Sequence, residues 1–355
     1  MSSPYRYHRQ TLLPGIGTAG QEAIRSAHIA IIGVGALGCV AADMLCRAGI
    51  GTLTLIDRDT VDWTNLQRQT LYTEDDAAQA RPKASAAAAR LRAINSEVRV
   101  YEEIADLTHS NAESLLGIAG QRPIALLDGT DNFPTRYLLN DVATKHRLPL
   151  IYGGAVGTAG TQATLLPRAV APLSATPCLR CIAPEPPGAG AVPTCDTAGV
   201  LAAAVTIVAS CQVADALKIA SGNGHTLGGT LLAFDLWTNA RKRVALAPLR
   251  DERCPCCGLG EYDWLAGRHS SPHTVLCGKD AVQLALVIDV TDPDLAQRLS
   301  RVGAVTLQGS MLRVVFSEQA GGPRELQLHS DGRAVVIGTT DPDVAKGIVA
   351  RFVGG

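Results

Sequence analysis

The stretch that decides the fold is HIAIIGVGALGCVAADMLCRAGIGTLTLIDRDTVD, from His28 to Asp62. It predicts a short buried strand over His28–Ile32, a glycine turn, a helix from about Leu37 to Ala48, and a second strand over Thr52–Ile56. A strand, a glycine-rich turn and a helix in this order are typical of a unit that binds a nucleotide phosphate at the helix N-terminus. We therefore expect an α/β protein built around a nucleotide site.

The turn reads GVGALG over residues 33–38, which is a G-x-G-x-x-G pattern directly after a strand. In this pattern Gly33 permits the tight turn, Gly35 lets backbone N–H groups approach a phosphate, and Gly38 lets the helix pack closely on the sheet. Asp57 ends the second strand, where a carboxylate accepts hydrogen bonds from ribose hydroxyls. These residues alone predict a nucleotide, and NAD is the usual one.

The loop after Asp57 departs from the NAD pattern. It runs to Gln69 as DRDTVDWTNLQRQ and contains Asp59, Asn65 and Arg68. Acids, an amide and a guanidinium beside a phosphate turn suit a triphosphate and its metal ion. An exposed polar loop without a ligand would have the same composition, so both interpretations stay open here.

A lysine and an aspartate further along add to this site. Lys83 stands in the first turn of the next predicted helix, where a cation opposes the helix dipole by roughly 0.3–1 kcal/mol, a cost that a bound phosphate offsets. Asp131 follows the predicted strand Ile124–Leu127, so it lies over the nucleotide at the carboxyl edge of a parallel sheet and can hold Mg²⁺. The alternatives are an ordinary surface lysine, and a helix cap formed by Asp131 or Asn132.

Ten cysteines indicate metal or thiol chemistry in a chain whose N-terminus shows no secretory signal. Two C-x-x-C pairs supply four thiolates, enough for a closed tetrahedral zinc site that joins two remote segments: Cys178, Cys181, Cys254 and Cys257. Cys256 lies between ligands and is predicted to be a spectator. A redox C-x-x-C would not need the second pair.

One further cysteine is a candidate nucleophile. Cys195 lies in the proline- and glycine-rich loop Pro184–Thr197, just before a predicted buried helix that Asp196 or Thr197 would cap, and a thiol there can be activated. A loop cysteine without a role is the other interpretation. Three cysteines in apolar helical surroundings are predicted to belong to the core: Cys39, Cys46 and Cys211.

Length and composition set the outer limits. The chain has 355 residues, 46% of them hydrophobic, and a net charge of −1, so we expect a globular protein without the basic surface that nucleic acid or an anionic membrane requires. A cytoplasmic location is expected. The most apolar stretch, Ala198–Ala220, carries Ser210, Gln212, Asp215 and Lys218, which favours a buried helix over a membrane span.

Together these pieces resemble the ThiF/MoeB/HesA family of adenylyltransferases, which are relatives of the ubiquitin-activating enzymes. The resemblance covers Tyr5 to about Gly258 and rests on the following motifs: Tyr7-His8-Arg9-Gln10, GVGALG, Asp57-Arg58-Asp59, Asn65-Leu66-Gln67-Arg68-Gln69, Arg81-Pro82-Lys83, Asp128-Gly129-Thr130-Asp131-Asn132, both C-x-x-C pairs and the Cys195 loop. The remainder looks like the C-terminal extension of some thiamine-pathway members.

The resemblance implies ATP-dependent adenylylation of the C-terminal glycine of a small ubiquitin-like sulfur carrier. We expect a ThiS-like carrier for thiamine thiazole synthesis, with a MoaD-like carrier for molybdopterin synthesis as the alternative. It assigns roles to the following residues: Asp57 to the ribose, Asn65, Arg68 and Lys83 to the phosphates, Asp131 to Mg²⁺, Asp59 and Gln69 to the nucleotide site, and Arg9 to the other subunit of a homodimer. Cys195 aligns with a cysteine that forms a thioester or an acyl disulfide in some relatives. A sulfurtransferase or a cysteine desulfurase is the further partner implied.

The predicted architecture is a doubly wound, Rossmann-like, mostly parallel sheet with a four-cysteine zinc site, followed by a small α/β domain. We expect residues 1–268 to form the ATP-binding adenylation domain and residues 269–355 the C-terminal domain, with a linker over Glu261–Pro272. Two other functions remain open from the sequence. A nicotinamide-dependent oxidoreductase would use GVGALG and Asp57, and a non-catalytic scaffold would bind a carrier without activating it.

Overall fold

The computed structural model describes residues 6–167, 175–187, 198–269, 273–276, 280–286, 289–308, 311–316, 325–330 and 332–353. The chain divides into two compact units, Met1–His269 and Ser270–Gly355. Each unit has a sheet and a hydrophobic core of its own.

An eight-stranded sheet forms the centre of the first unit, in the order β3-β2-β1-β4-β5-β6-β7-β8. β1 to β5 run parallel, and β6, β7 and β8 continue the sheet antiparallel. The strands are β1 His28–Ile32, β2 Thr52–Ile56, β3 Arg99–Glu103, β4 Ala125–Asp128, β5 Leu150–Val156, β6 Ala159–Leu165, β7 Thr230–Asp235 and β8 Ala240–Ala245.

Nine helices of the described residues accompany this sheet. They are α1 His8–Thr11, α2 Gly17–Ser26, α3 Ala36–Ala48, α4 Glu74–Ala78, α5 Lys83–Ile94, α6 Ala112–Leu115, α7 Phe133–His146, α8 Leu179–Ile182 and α9 Ala202–Ala220. A 3₁₀ turn over Trp63–Asn65 lies in the loop after β2, and a π-helical turn over Pro255–Leu259 carries the second C-x-x-C pair.

The central strands β2, β1 and β4 are covered on both faces, as their near-continuous apolar sequence predicts. Alternate residues of β1 enter two different cores, Ile29 and Ile31 the first and Ala30 and Ile32 the second. Helices α3, α5 and α9 supply the first core, and α7 supplies the second. This arrangement confirms the predicted doubly wound sheet, and it places the strand order reversal between β1 and β4.

Helix α9 is the apolar stretch that the sequence singled out. By length and composition alone it is the one described helix that could cross a membrane, a test that core helices also pass. Here one of its faces is buried, and Gln212 Nε2 donates to the carbonyls of Asp128 and Ile151, at 2.8 and 3.0 Å. These contacts make α9 part of the sheet's packing.

Three local predictions differ from the structure. The long helix begins at Ala202, with Leu201 as its N-cap. Gly199 has a φ of +69°, which is not a helical conformation, so the helix cannot extend back through this residue. The two predicted cap residues, Asp196 and Thr197, lie outside the described residues. The edge strand β3 was not predicted, since only Val100 of its five residues is buried and three of the others are charged.

The predicted linker is the third difference. Its larger part, from Glu261 to His269, packs on α7, because the Trp264 ring lies 5.2 Å from the Tyr137 ring and stacks on the His269 ring at 4.4 Å. The buried carboxylate of Asp141 accepts from the backbone N–H of Trp264 at 2.9 Å. This segment belongs to the first unit.

The described residues of the second unit form a six-stranded antiparallel sheet in the order β11-β12-β13-β14-β10-β9 and two helices. Its strands are β9 His273–Leu276, β10 Ala281–Ala285, β11 Gly303–Gln308, β12 Met311–Phe316, β13 Glu325–His329 and β14 Arg333–Ile337. Its helices are α10 Pro293–Leu299 and α11 Pro342–Phe352. Leu312, Val314 and Leu326 lie in its core, with residues of both helices.

Candidate active site

The glycine turn passes very close to the neighbouring strand end. Gly33 has a φ of +82°, and a Cβ there would lie 2.8 Å from the Gly129 backbone. A Cβ on Gly38 would lie 2.0 Å from the Gly33 carbonyl oxygen, so both residues are glycine for packing reasons. At Gly35 a Cβ would touch only Gln69 Nε2, at 3.8 Å. The space above Gly35 is thus the open cradle of this turn.

Asp57 at the end of β2 is tied into the same turn. One carboxylate oxygen accepts from the backbone N–H of Val34 and the other from that of Asp59, both at 2.7 Å. Burial raises the pKa of Asp57, and Lys83 partly opposes this shift. Each oxygen keeps a second lone pair, so the carboxylate can still accept from a ribose hydroxyl.

Lys83 begins α5 and points into the acidic loop. Its side chain is 9% exposed, and Nζ lies 3.1 Å from Asp59 Oδ2. Burial alone would lower the pKa of Lys83, but the charges of Asp59, Asp57 and Asp131 outweigh burial and raise it. The lysine is therefore a charged group fixed among three carboxylates.

The loop between β2 and α4 is held by hydrogen bonds between its own side chains and its own backbone. Asn65 Oδ1 accepts from the Asp62 N–H at 3.1 Å, and Asp62 Oδ1 accepts from the Thr64 N–H at 2.8 Å. These two bonds close a capping box around the 3₁₀ turn. The amide oxygen of Asn65 is used as an acceptor in this turn, and its Nδ2 is the group that can donate to a phosphate.

Arg68 and Gln69 follow directly. Arg68 is half-buried and donates from Nη1 to the Thr64 carbonyl at 2.8 Å. Gln69 is 4% exposed, and its Oε1 is buried with no hydrogen-bond partner among the described residues. A buried amide with an unused acceptor beside the cradle of Gly35 is a feature that a ligand would satisfy.

The loop after β4 carries Asp131 and Asn132, for which the sequence left two roles open, a metal ligand and a helix cap. Asn132 caps α7, since its Oδ1 accepts from the Thr135 N–H at 3.0 Å. Asp131 is exposed, and its charge contributes to the raised pKa of Lys83 and of Arg58. Asp131 is therefore close enough to Lys83 for their charges to interact, and its exposed carboxylate could bind a metal ion.

The sequence did not predict two residues that support this site. Arg58 Nη1 donates to Asp106 Oδ2 at 2.6 Å, and the Tyr72 hydroxyl donates to the Val34 carbonyl at 2.7 Å. Asp106 lies 48 residues from Arg58, so no local pattern connects them. Tyr72 follows Gln69 by three residues, and a tyrosine beside an apolar loop ordinarily indicates a core position.

The N-terminal motif is divided between anchoring and exposed residues. Asn95 Nδ2 donates to the buried Tyr7 hydroxyl at 2.8 Å, and Gln10 Nε2 donates to the Ala48 carbonyl at 3.0 Å. Both bonds fix α1 on the body of the first unit. His8 and Arg9 remain exposed on α1.

The four predicted zinc ligands meet although 76 residues separate the two pairs. Cys178 Sγ lies 3.5 Å from Cys254 Sγ, Cys181 Sγ lies 3.4 Å from Cys257 Sγ, and all four sulfur atoms lie within 4.8 Å of one another. A tetrahedral Zn²⁺ with bonds of about 2.3 Å separates its sulfur ligands by about 3.8 Å, so the cluster fits the ion.

The remaining cysteines take different places. Cys256 is fully buried and accepts from Asn140 Nδ2 at 3.2 Å, outside the four-sulfur cluster. Cys39 and Cys46 lie in the core as predicted, and Cys211 is half-buried on α9. Cys195 lies outside the described residues.

The fold and the site together define a doubly wound nucleotide-binding α/β protein with a cluster of four cysteines that could hold a metal ion. Its sequence matches the ThiF family over residues 7–256. The chain belongs to the ThiF family.

Full-length and partial relatives agree with this assignment. The chain is 40% identical to the sulfur carrier protein ThiS adenylyltransferase of Bacillus subtilis over 98% of this chain and 99% of that protein. It is 39% identical to a sulfur carrier protein adenylyltransferase of Thermus thermophilus over 71% of this chain and 90% of that protein. The adenylyltransferase and sulfurtransferase MOCS3 of Sus scrofa is 38% identical, and the matched region covers 74% of this chain and 56% of MOCS3.

Solved structures share the fold. MccB of E. coli with MccA-N7isoASN superposes with a TM-score of 0.60 at 21% identity, over 72% of this chain and 76% of MccB. The MccB structure with ATP gives the same TM-score at 20% identity. At this identity the similarity concerns the architecture alone.

Proposed function

We propose that the protein is an ATP-dependent adenylyltransferase that activates the C-terminal glycine of a small, ubiquitin-like, ThiS-like sulfur carrier for thiamine thiazole synthesis. The observation that carries this proposal is the similarity to the Bacillus subtilis enzyme, which extends over nearly the whole of both chains. The site supports it, because Asp57, Asp59 and Lys83 surround an open glycine turn at the carboxyl edge of the sheet.

In the proposed reaction the carrier's carboxylate attacks the α-phosphorus of ATP. The bond from this phosphorus to the bridging oxygen breaks, pyrophosphate leaves with that electron pair, and an acyl adenylate forms. Such a step is catalysed mainly by positioning and by stabilising charge. No general base is required, since the nucleophile is already ionised at neutral pH.

Within this reaction we assign the ribose to Asp57 and the phosphates to Lys83, Arg68 and the amide nitrogen of Asn65. The N–H groups of the turn at Gly35 complete the phosphate cradle. The buried Gln69 lines the same cradle. Lys83 remains charged because of its carboxylate neighbours, and a fixed cation stabilises the charge that develops on the leaving pyrophosphate.

Two metals fit the residues present. Asp131 is exposed at the strand end and is not used as a helix cap, so it would hold Mg²⁺, which neutralises phosphate charge. Cys178, Cys181, Cys254 and Cys257 would hold a structural Zn²⁺. In a homodimer, Arg9 would reach the partner's site from the exposed side of α1. Cys195 would be the residue that joins the carrier covalently during sulfur transfer from a sulfurtransferase or a cysteine desulfurase.

A MoaD-like carrier for molybdopterin synthesis is the second candidate, which the similarity to MOCS3 favours. The test is carrier-dependent ATP–pyrophosphate exchange with purified ThiS-like and MoaD-like proteins offered separately. Exchange with the ThiS-like protein is the expected result. Exchange with the MoaD-like protein alone would mean that the carrier is MoaD-like. Tight NAD binding without any exchange would support an oxidoreductase.

A further inference from the structure

A closed ring of hydrogen bonds connects the two phosphate-binding elements of the site. The Val34 N–H donates to one oxygen of Asp57 and the Asp59 N–H to the other, both at 2.7 Å. The Lys83 N–H donates to the Asp59 carbonyl at 2.8 Å. The Tyr72 hydroxyl donates to the Val34 carbonyl at 2.7 Å and lies 3.2 Å from the Lys83 carbonyl. Tyr72 thus closes the ring.

Tyr72 is suited to this position because it is rigid and protonated. Its side chain is buried, and burial raises its pKa well above the ordinary value, so the hydroxyl is a donor at every physiological pH. A hydroxyl has one proton, which the shorter bond to Val34 takes first and the Lys83 carbonyl shares. The side chain therefore contacts the glycine turn and the start of α5 through a single atom.

We propose that Tyr72 is a positioning residue that fixes the Lys83 side of the site against the glycine turn, and thereby sets the affinity for the triphosphate part of ATP. This inference rests on the proposed function. The turn supplies N–H groups and Lys83 supplies a cation, and both must meet one polyphosphate chain at a fixed separation. Binding to the ribose depends on Asp57, which is held by Val34 and Asp59 without Tyr72.

The test uses Y72F in the zinc-loaded full-length protein, with the dissociation constants of ATP and AMP measured by calorimetry in the presence of Mg²⁺. The phenylalanine keeps the ring and removes only the hydroxyl. We expect ATP to bind about fivefold more weakly, which corresponds to one typical hydrogen bond, and AMP to change less than about twofold. An unchanged affinity for ATP, or an equal loss for ATP and AMP, would overturn the inference.

Tyr137 provides a matched control. It is also fully buried, and its hydroxyl donates to the Ala183 carbonyl at 2.7 Å, away from the glycine turn. Y137F should lower the melting temperature by an amount similar to Y72F and leave both nucleotide affinities unchanged. A loss of ATP affinity in Y137F equal to that in Y72F would mean that general destabilisation is the cause, and would overturn the inference.

A double-mutant cycle with Lys83→Ala separates positioning from structure. If Tyr72 acts by placing Lys83, then Y72F in the K83A background should change the dissociation constant of ATP less than about twofold. A persistent fivefold loss would overturn the inference. Failure of the wild-type protein to bind ATP would overturn the proposed function itself, which the wild-type titration reports separately.

Discussion

Lys83 Nζ lies 3.1 Å from Asp59 Oδ2, so the lysine assigned to the phosphates is paired with a carboxylate before any nucleotide arrives. The lysine is buried and the aspartate is half exposed, with side-chain exposures of 9% and 50%. A triphosphate must therefore share or displace this counter-ion. The pairing also explains how a cation is tolerated in the first turn of α5, where it opposes the helix dipole.

The first prediction concerns D59N and pH. The pKa of Lys83 lies above its ordinary value of 10.5. The contribution of the charged lysine to stability and to ATP binding is therefore fully present below pH 10.5, and it is lost only as the pH rises through the raised pKa. The charge of Asp59 is the largest of the effects that raise the pKa of Lys83 against the lowering caused by burial. Because D59N removes this charge, the pKa of Lys83 should fall. We expect D59N to bind ATP about threefold more tightly than wild type at pH 7.5, and to lose more of its affinity than wild type does between pH 7.5 and 9.5.

The measurement is the dissociation constant of ATP between pH 7.5 and 9.5 for both proteins. Lys83 stays charged over this range in the wild-type protein, so it should not make the dissociation constant of ATP depend on pH. Parallel pH curves for wild type and D59N would show that Asp59 does not control the charge of Lys83.

The second prediction concerns Arg68, which directly precedes Gln69, the residue whose amide lies 3.8 Å from a Cβ built on Gly35. R68A should lose most of its carrier-dependent pyrophosphate exchange, by about tenfold or more, while its zinc content stays the same. The matched control is R90A, which removes an exposed arginine on α5. Exchange in R68A at the level of R90A would remove the phosphate role of Arg68.

The third prediction separates the neighbours Asp131 and Asn132. N132A removes the cap of α7 and should lower the free energy of unfolding by about 1 kcal/mol without changing the Mg²⁺ requirement. D131N should leave stability within about 0.5 kcal/mol and raise the Mg²⁺ concentration needed for half-maximal exchange. Denaturant unfolding and a Mg²⁺ titration of both variants decide the point. The reverse pattern would exchange the two roles.

The fourth prediction uses the adjacent residues Cys256 and Cys257. C257A should bind no zinc and unfold at a markedly lower temperature, because the ion joins segments that are 76 residues apart in sequence. C256A should keep one zinc ion per chain and lose only the buried sulfur contact with Asn140, about 1 kcal/mol. Metal analysis and thermal unfolding measure both. Zinc retained in C257A and lost in C256A would contradict the ligand set.

Much of the fold could be predicted because its signals are local. The apolar run before GVGALG, the glycines themselves and Asp57 follow one another closely along the chain, and each has one structural reason to be there. The two C-x-x-C pairs were equally clear, since four thiolates arranged in this way suit a tetrahedral metal site. The edge strand β3 gave no such signal, because a half-exposed strand resembles a polar loop.

The sequence by itself determined the doubly wound sheet, the glycine turn and the cluster of four cysteines, because periodicity and spacing along the chain encode them directly. Only the tertiary structure decided that Lys83 pairs with Asp59, that Asn132 rather than Asp131 caps α7, and that Tyr72 connects the turn to α5. These relationships join residues from separate elements. Their distances depend on how those elements pack, which no spacing along the chain records.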